Sequence, residues 1–508
     1  MEKKDINRIH EFFKDINLNT ITKKELQIKK GEFAKKYHLK KLPLTSDILL
    51  ALNINKPTET FITKPNRTLS GVTIIAVMTK PYKCPGKCTY CPTFKNIPKS
   101  YTGYEPASMR GKINNYDPYK QIKSRIKQLE NTGHPTNKIE LIVMGGTFPA
   151  TPIKYQKQFM IKIYQAITDS KSKNLNYLQK KAIYSKRRIV GLTFETRPDY
   201  CNKQIIKRLR SYGATRIEIG VQTTHDEIHK ITNRGHGVKE IKEATQLLKD
   251  SGFKVLYHMM LGLPGSNYEK DLESFKEIFT NQEYCPDMLK IYPCAVIENS
   301  QLEKMYRAGE YKPYTINEMV SLIVDIKKIV PKWIRIMRIQ RDIPTTKIID
   351  GTKYNNIRQF VQNELKKQGK KCNCIRCSEP HKNIKINKYV IKKIKYTASN
   401  GTEYFIYAEG EGYLLGFIRL RFPYKPFIKQ INKKTAIVRE LHVYGQTTEF
   451  TEKNIQHIGI GKKLLKTAEE IAKKNNYEKI TVISGIGVRE YFIKQKYYLD
   501  GTYMSKKI

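Results

Sequence analysis

Val72-Thr-Ile-Ile-Ala-Val-Met78 is an apolar, β-branched run, and Cys84-Pro-Gly-Lys-Cys88-Thr-Tyr-Cys91 follows it directly. The run predicts a buried strand, and the Pro and Gly inside the cysteine segment predict a loop at its end. Three thiolates spaced C-x3-C-x2-C can hold three irons of a [4Fe–4S] cluster and leave the fourth iron open to a small ligand. A structural zinc would ask for four protein ligands, and a fourth is not evident nearby.

Five more runs of the same texture follow: Ile139–Met144, Ile189–Phe194, Arg216–Val221, Lys254–Met259 and Met288–Tyr292, with amphipathic stretches between them. Strands alternating with helices predict an α/β fold with a parallel sheet, open or closed into a partial barrel. The chemistry of such sheets lies beyond the carboxyl ends of the strands. There the sequence places Gly145-Gly-Thr147-Phe148, Glu195-Thr-Arg197-Pro-Asp199, Gln222, His258-Met-Met260 and Lys290-Ile-Tyr-Pro293.

The texture changes after Cys372, Cys374 and Cys377 and a basic stretch from Lys382 to Lys395. From about 398 onward, strand patterns (Glu403–Ala408, Leu414–Arg421, Ile437–Tyr444) precede a loop, a helix and another strand (Lys479–Ser484), predicting a separate α+β domain. Gln456-His-Ile-Gly459-Ile-Gly461-Lys462 leads into that helix. Glycines there free backbone N–H groups where the helix dipole favours negative charge, so a pyrophosphate is the expected occupant.

The chain has 508 residues, 94 of them Lys or Arg and 47 Asp or Glu, a formal net charge of +47. The length predicts about three domains. Hydrophobic residues at 39% and charged residues at 28% are ordinary globular values, which excludes a disordered chain. The charge excess exceeds what solubility needs and points to a polyanion partner, nucleic acid first. No segment has the roughly 18 continuous apolar residues of a membrane span, and the N-terminus lacks a signal-peptide core. A soluble, cytoplasmic setting without a membrane partner is therefore expected. Nine cysteines, six of them in two tight clusters, suit metal binding better than a disulfide framework. The first 65 residues carry helical periodicity at Ile6, Ile9, Phe12, Phe13 and Ile16, and lysine-rich faces able to follow phosphates (Lys23, Lys24, Lys29, Lys30, Lys35, Lys36, Lys40, Lys41).

The Cys84–Cys91 motif resembles that of the radical S-adenosylmethionine (SAM) superfamily in its spacing and in the aromatic residue before the last cysteine. Gly145-Gly146-Thr147 resembles its glycine-rich SAM segment. The Gln456–Gly461 loop, with Ser484–Phe492 downstream, resembles the acetyl-CoA loop of GNAT-type acetyltransferases. Together they resemble the family of the catalytic third subunit of Elongator, through blocks including Ser100–Arg110, Glu195–Tyr200, Arg216–Gln222, Thr232–His236, Leu289–Pro293, Gln340–Pro344 and Arg439–Gly445. The short C-x3-C spacing, where eukaryotic members have a longer insertion, resembles an archaeal-type or viral form.

This resemblance implies a radical SAM partial (β/α)6 barrel with a C-terminal GNAT-type α+β domain. The implied division is residues 1–65 for a basic tRNA-binding segment, 66–370 for the radical SAM domain, 371–395 for a cysteine-containing metal linker and 396–508 for the acetyltransferase domain. It implies a [4Fe–4S] cluster on Cys84, Cys88 and Cys91, SAM and acetyl-CoA as co-substrates, and a tRNA anticodon stem-loop as partner, with a homo-oligomer or other Elongator-like subunits as further partners. The implied reaction abstracts hydrogen from the acetyl methyl, adds the carbon radical to the wobble uridine and hydrolyses the thioester to leave 5-carboxymethyluridine.

The implied site residues are Gly145, Gly146, Thr147, Glu195, Arg197, Gln222 and His258 on the SAM side and Gln456, Gly459, Gly461, Lys462, Tyr491 and Phe492 on the acetyl-CoA side, with Lys290 and Tyr491 as catalytic candidates. Phe492 stands where the family has a second tyrosine, so a hydroxyl role there is not expected while packing is. Glu440 and His442 share a strand face, as a base or as a buried ion pair. Cys372, Cys374 and Cys377 are candidate zinc ligands, with His381 as a fourth, and Cys201, Cys285 and Cys294 are expected to be ordinary buried thiols. The alternatives are a protein lysine acetyltransferase with a structural iron–sulfur domain, and a tRNA-binding scaffold with vestigial acetyl-CoA turnover.

Overall fold

All six predicted runs are parallel strands of one sheet: β1 Thr73–Met78, β2 Lys138–Met144, β3 Arg188–Thr196, β4 Arg216–Gln222, β5 Lys254–Leu261 and β6 Met288–Pro293. A seventh, β7 Arg335–Ile339, pairs parallel with β6 and extends the expected six-stranded barrel by one. The computed structural model describes residues 3–508 except 18–19, 40–41, 53, 55–69, 355, 381–385, 387 and 445–458. The strands follow each other in chain order from β1 to β7, and the two outer strands do not pair, so the sheet is an open half-barrel.

Alternation along the strands sorts their side chains. Ile139, Leu141, Val143, Ile217, Ile219, Val221, Val255, Tyr257, Met259, Leu289 and Ile291 join the core beneath the surrounding helices. Glu140, Arg216, Glu218, Lys254, His258 and Lys290 fall on the opposite, concave face. The helices start where their sequences say they should. Asp117, Asn202 and Asn267 each cap a first turn by accepting a backbone N–H, and Thr315 forms a capping box with Glu318.

The second sheet has seven strands: β8 Val390–Ala398, β9 Gly401–Gly410, β10 Tyr413–Phe422, β11 Thr435–Val443, β12 Lys479–Val482, β13 Tyr498–Asp500 and β14 Tyr503–Lys507. The helix Ile460–Lys474 packs on it through Leu464, Leu465, Ala468 and Ala472. β8 lies largely within the stretch expected to be linker, and pairs with β9 along its whole length. β11 and β12 run parallel only from Thr435↔Lys479 to Val438↔Val482, the splayed pair between which a GNAT fold would seat its cofactor.

The two sheets are joined by buried charge at the amino ends of the barrel strands. Arg439 of β11 holds both oxygens of Asp287, which precedes β6, at 2.7 and 2.6 Å, and donates to the Phe253 carbonyl at 2.8 Å. Arg421 of β10 reaches Asp250 at 2.6 Å and Glu403 at 3.0 Å, while Arg419 donates to the Trp333 carbonyl at 2.7 Å. Lys249 stands 3.6 Å from both Asp287 and Glu403. The side chains of Lys249, Asp287, Glu403, Arg419, Arg421 and Arg439 are fully buried, and Glu440, 2.9 Å from Arg419, balances the fourth cation.

The N-terminal helices Lys3–Phe13, Lys23–Lys36 and Thr45–Ala51 enclose a core of their own around Phe13, Phe33 and Ile48. Lys23, Lys24, Lys35 and Lys36 are exposed, whereas Lys30 is buried and bonds Thr45 Oγ1 at 2.7 Å. Lys40 and Lys41 lie outside the described residues. Among those residues no helix is long and apolar enough to cross a membrane.

Candidate active site

The cysteine loop leaves the carboxyl end of β1 and is pinned from both sides. Thr89 N–H donates to the Thr232 carbonyl at 3.0 Å, and Leu302 N–H donates to that of Thr89 at 2.9 Å. Cys88 is buried, while Cys84 and Cys91 are partly exposed. A hydrogen bond with Cys91 and the Arg234 charge outweigh burial and lower the Cys88 thiol to about 4. Gly145-Gly146-Thr147 reaches the same place from the end of β2, with Thr147 Oγ1 4.0 Å from Cys84 Sγ. Gly145 has φ +122° and a Cβ there would lie 2.2 Å from Thr79 Oγ1, so only glycine fits. Gly146, at φ +88°, faces open space.

Deeper on the concave face, Glu195, Glu218, His258 and Lys290 form one network. His258 Nε2 lies 2.8 Å from Glu218, Lys290 bridges Glu218 and, at 3.4 Å, Glu195, and the Tyr101 hydroxyl donates to Glu195 at 3.0 Å. Burial alone would raise the Glu218 carboxyl, but Lys290, His258 and Arg216 hold it well below the usual range. Burial opposes the charge on Lys290, and the facing carboxylates overcome it and raise its pKa. Burial and the Lys290 charge lower His258. Near neutral pH, Glu218 and Lys290 are therefore charged and His258 is neutral. Toward the barrel floor Arg216 contacts both Glu218 and Glu140.

Arg197 does not join this network. It forks onto Asp199 at 2.9 and 3.0 Å and turns its remaining NH1 toward Gly86 in the cysteine loop. Gln222 ends β4 at φ +74°, in the left-handed region, and its buried Oε1 has no hydrogen-bond partner among the described residues. A strained, buried and unsatisfied side chain at a strand's carboxyl end suits a ligand contact.

At the second sheet Gly459 takes φ +76° as N-cap of the Ile460–Lys474 helix, with nothing within 4 Å of a Cβ. The Tyr491 hydroxyl lies 3.2 Å from where a Gly461 Cβ would stand, over the same helix end. Phe492 turns into the core against Tyr497, and Lys462 is exposed. Gln456 lies outside the described residues. Glu440 is ion-paired with Arg419, and burial lowers the adjacent His442 to about 4.

The sulfurs of Cys372, Cys374 and Cys377 lie within 4.8 Å of one another, beside the buried Lys327, whose Nζ is 3.4 Å from Cys377. Such convergence suits one tetrahedral ion. His381 lies outside the described residues. The thiols of Cys88 and Cys91 lie within hydrogen-bond reach of each other. Three thiolates on one loop match the three irons that a cubane offers to protein ligands. Cys201, Cys285 and Cys294 are buried, and burial raises all three thiols above their ordinary value.

Residues 78–278 match the radical SAM superfamily profile, 286–367 the radical SAM C-terminal domain and 375–491 the acetyltransferase (GNAT) family. The chain is 50% identical over 465 residues to the tRNA uridine(34) acetyltransferase of Methanocaldococcus infernus, covering 88% of this chain and 87% of that protein. It is 40% identical over 528 residues to Elongator complex protein 3 of Schizosaccharomyces pombe, covering 97% and 94%. This chain belongs to the tRNA uridine(34) acetyltransferase family, which includes Elongator complex protein 3. The solved structure of the archaeal Methanocaldococcus infernus Elp3 lacking residues 1–46 superposes with a TM-score of 0.78 at 46% identity, covering 87% of this chain and all of that one. Membership of the radical SAM superfamily implies SAM and a [4Fe–4S] cluster, and the GNAT fold accommodates acetyl-CoA.

Sequence reasoning for this family member passed over three site residues. Glu218 was legible, because it shares a strand face with Gln222 by period-two alternation. Tyr101 and Arg234 sat in recognised blocks, but nothing in their spacing linked them to Glu195 or Cys88.

Proposed function

We propose that this chain modifies the wobble uridine of tRNA, joining a carbon unit from acetyl-CoA to the base by SAM-dependent radical chemistry to give 5-carboxymethyluridine. The observation that carries this reading is that one chain holds both a cysteine loop beside the Gly145–Thr147 segment and a glycine-capped helix N-terminus at Gly459, locked together through fully buried ion pairs. Of the two alternatives, a structural iron–sulfur domain leaves the charged network of Glu195, Glu218 and Lys290 without a purpose. The family names favour tRNA over protein lysine.

In this reading Cys84, Cys88 and Cys91 would hold the cluster, and Gly145–Thr147, Glu195 and Gln222 would border SAM. When bound, the cluster and SAM supply the one-electron step that an unactivated acetyl methyl requires. The chain's own residues orient the reactants and exclude water. Lys290 serves as a fixed cation rather than a proton acceptor, because its carboxylate partners keep it protonated. The amides after Gly459 would receive the CoA pyrophosphate, with the Tyr491 hydroxyl over that helix end and Phe492 packed in the core beside it. Residues 371–395 carry the cysteine triad that would hold zinc, and the exposed Lys23, Lys24, Lys35 and Lys36 together with the net charge of +47 would supply a tRNA footprint. The uridine would be splayed from the anticodon loop, where unstacking costs little.

Anaerobic turnover with reconstituted enzyme, SAM, reductant, acetyl-CoA and tRNA tests the reading. Digestion and mass spectrometry should find carboxymethyluridine. Acetylated lysines on added protein with unmodified RNA would replace it with the lysine acetyltransferase alternative. Gln222→Gly should keep stability within about 1 kcal/mol of the parent, since lost packing is offset by relief of the left-handed strain. The same variant should slow SAM cleavage, measured as 5′-deoxyadenosine release. Unchanged cleavage would remove Gln222 from the site.

A further inference from the structure

Two guanidinium groups converge on Cys88. Arg234 is 6% exposed, donates from NH1 to Cys88 Sγ at 3.2 Å and is anchored by NH2 to the Gly220 carbonyl at 2.7 Å. Arg197 is 5% exposed, with Nε and NH2 on Asp199, and its buried NH1 has no hydrogen-bond partner among the described residues. That NH1 lies 2.1 Å from where a Gly86 Cβ would stand, a point itself 3.5 Å from Cys88 Sγ. The missing side chain at Gly86 thus makes the room that Arg197 fills. Behind them His229 and His236, rings 5.4 Å apart and both buried, each leave one ring nitrogen without a partner among the described residues. Asp199, 26% exposed, is the acidic side chain bonded to Arg197, and no carboxylate bonds to Arg234 among the described residues.

We propose that Arg234 and Arg197 set how readily the iron–sulfur cluster on this loop accepts its electron, Arg234 through a hydrogen bond to the ligand sulfur and both through fixed positive charge. The inference rests on the assignment of the cluster to Cys84, Cys88 and Cys91. Reduction adds one negative charge to a group already bearing three thiolates. Cations held in a water-poor pocket stabilise that added charge more than the oxidised state, which raises the reduction potential. Both arginines are positioning residues, acting through the cysteine ligand.

The test is anaerobic potentiometric reduction of reconstituted protein, followed by electron paramagnetic resonance, with iron and sulfide counted on each sample. Arg234→Gln should load like the parent and reduce at a more negative potential. Arg234→Lys, which keeps the charge, should fall between. A loaded Arg234→Gln with the parent's midpoint would overturn the proposal. Should that variant take up no iron, Arg197→Gln, which leaves the Cys88 hydrogen bond in place, decides by the same shift or its absence. A chain with Cys84, Cys88 and Cys91 all replaced by alanine that still binds iron and sulfide at the parent's level would instead remove the underlying cluster assignment.

Discussion

Asp287→Ala is expected to destabilise the chain by about 3–5 kcal/mol, the range for removing one partner from a buried ion pair. The carboxylate accepts from Arg439 twice and from Val255 N–H at 2.8 Å, with Arg419 and Lys249 each 3.6 Å away. Its loss would leave several cations in a site no water reaches. Because Asp287 belongs to one sheet and Arg439 to the other, the loss should also uncouple them. Two transitions in chemical denaturation would replace one, and a parent-like single transition would show that the Asp287 pairs are not what couples the sheets. The pH dependence has a definite sign. Burial opposes the charge on Asp287, but Arg439, Lys249 and Arg419 depress its folded pKa. Its stabilisation is therefore present above the ordinary carboxylate value of about 3.9 and lost as pH falls through the depressed one. Between pH 5 and pH 8 this interface should be insensitive to acid.

Glu218→Gln is expected to lower SAM-dependent turnover by about 10²-fold, the effect of misplacing reacting groups by roughly an ångström. The substitution keeps shape and removes charge. Lys290 would then face Glu195 alone, its pKa would fall, and its position between the two strands would slacken. A rate that is flat near neutral pH in the parent should acquire an alkaline decline in the variant. Parent-like kinetics and pH profile would make the network a structural ion pair only.

The elements that sequence alone locates are those whose pattern is local. Six strands announced themselves as apolar runs, and the two cofactor loops as glycine and cysteine spacings. β7 did not, because Arg335-Ile-Met-Arg-Ile339 is short and closes one edge of the sheet, with two arginines among five residues. β8 was concealed for a related reason. Val-Ile-Lys-Lys-Ile-Lys has the composition of a basic linker, yet lysines are what keep an exposed edge strand from pairing with another chain. The fully buried ion pairs between the sheets join residues up to 171 positions apart, such as Asp250 and Arg421, and no periodicity encodes them. Glu440 illustrates the limit in one residue. On its strand a base and an ion pair look alike, and only the fold, by placing Arg419 2.9 Å away, selects the pair.

The central claim is that one reaction uses both ends of this chain. The most direct measurement compares three proteins in the same anaerobic tRNA reaction: the parent, Cys88→Ala and Gly459→Glu, the last adding both backbone strain and negative charge at the helix end. Carboxymethyluridine should form with the parent and vanish in both variants, while Gly459→Glu still cleaves SAM and Cys88→Ala still binds acetyl-CoA. Undiminished carboxymethyluridine from either variant would contradict the account.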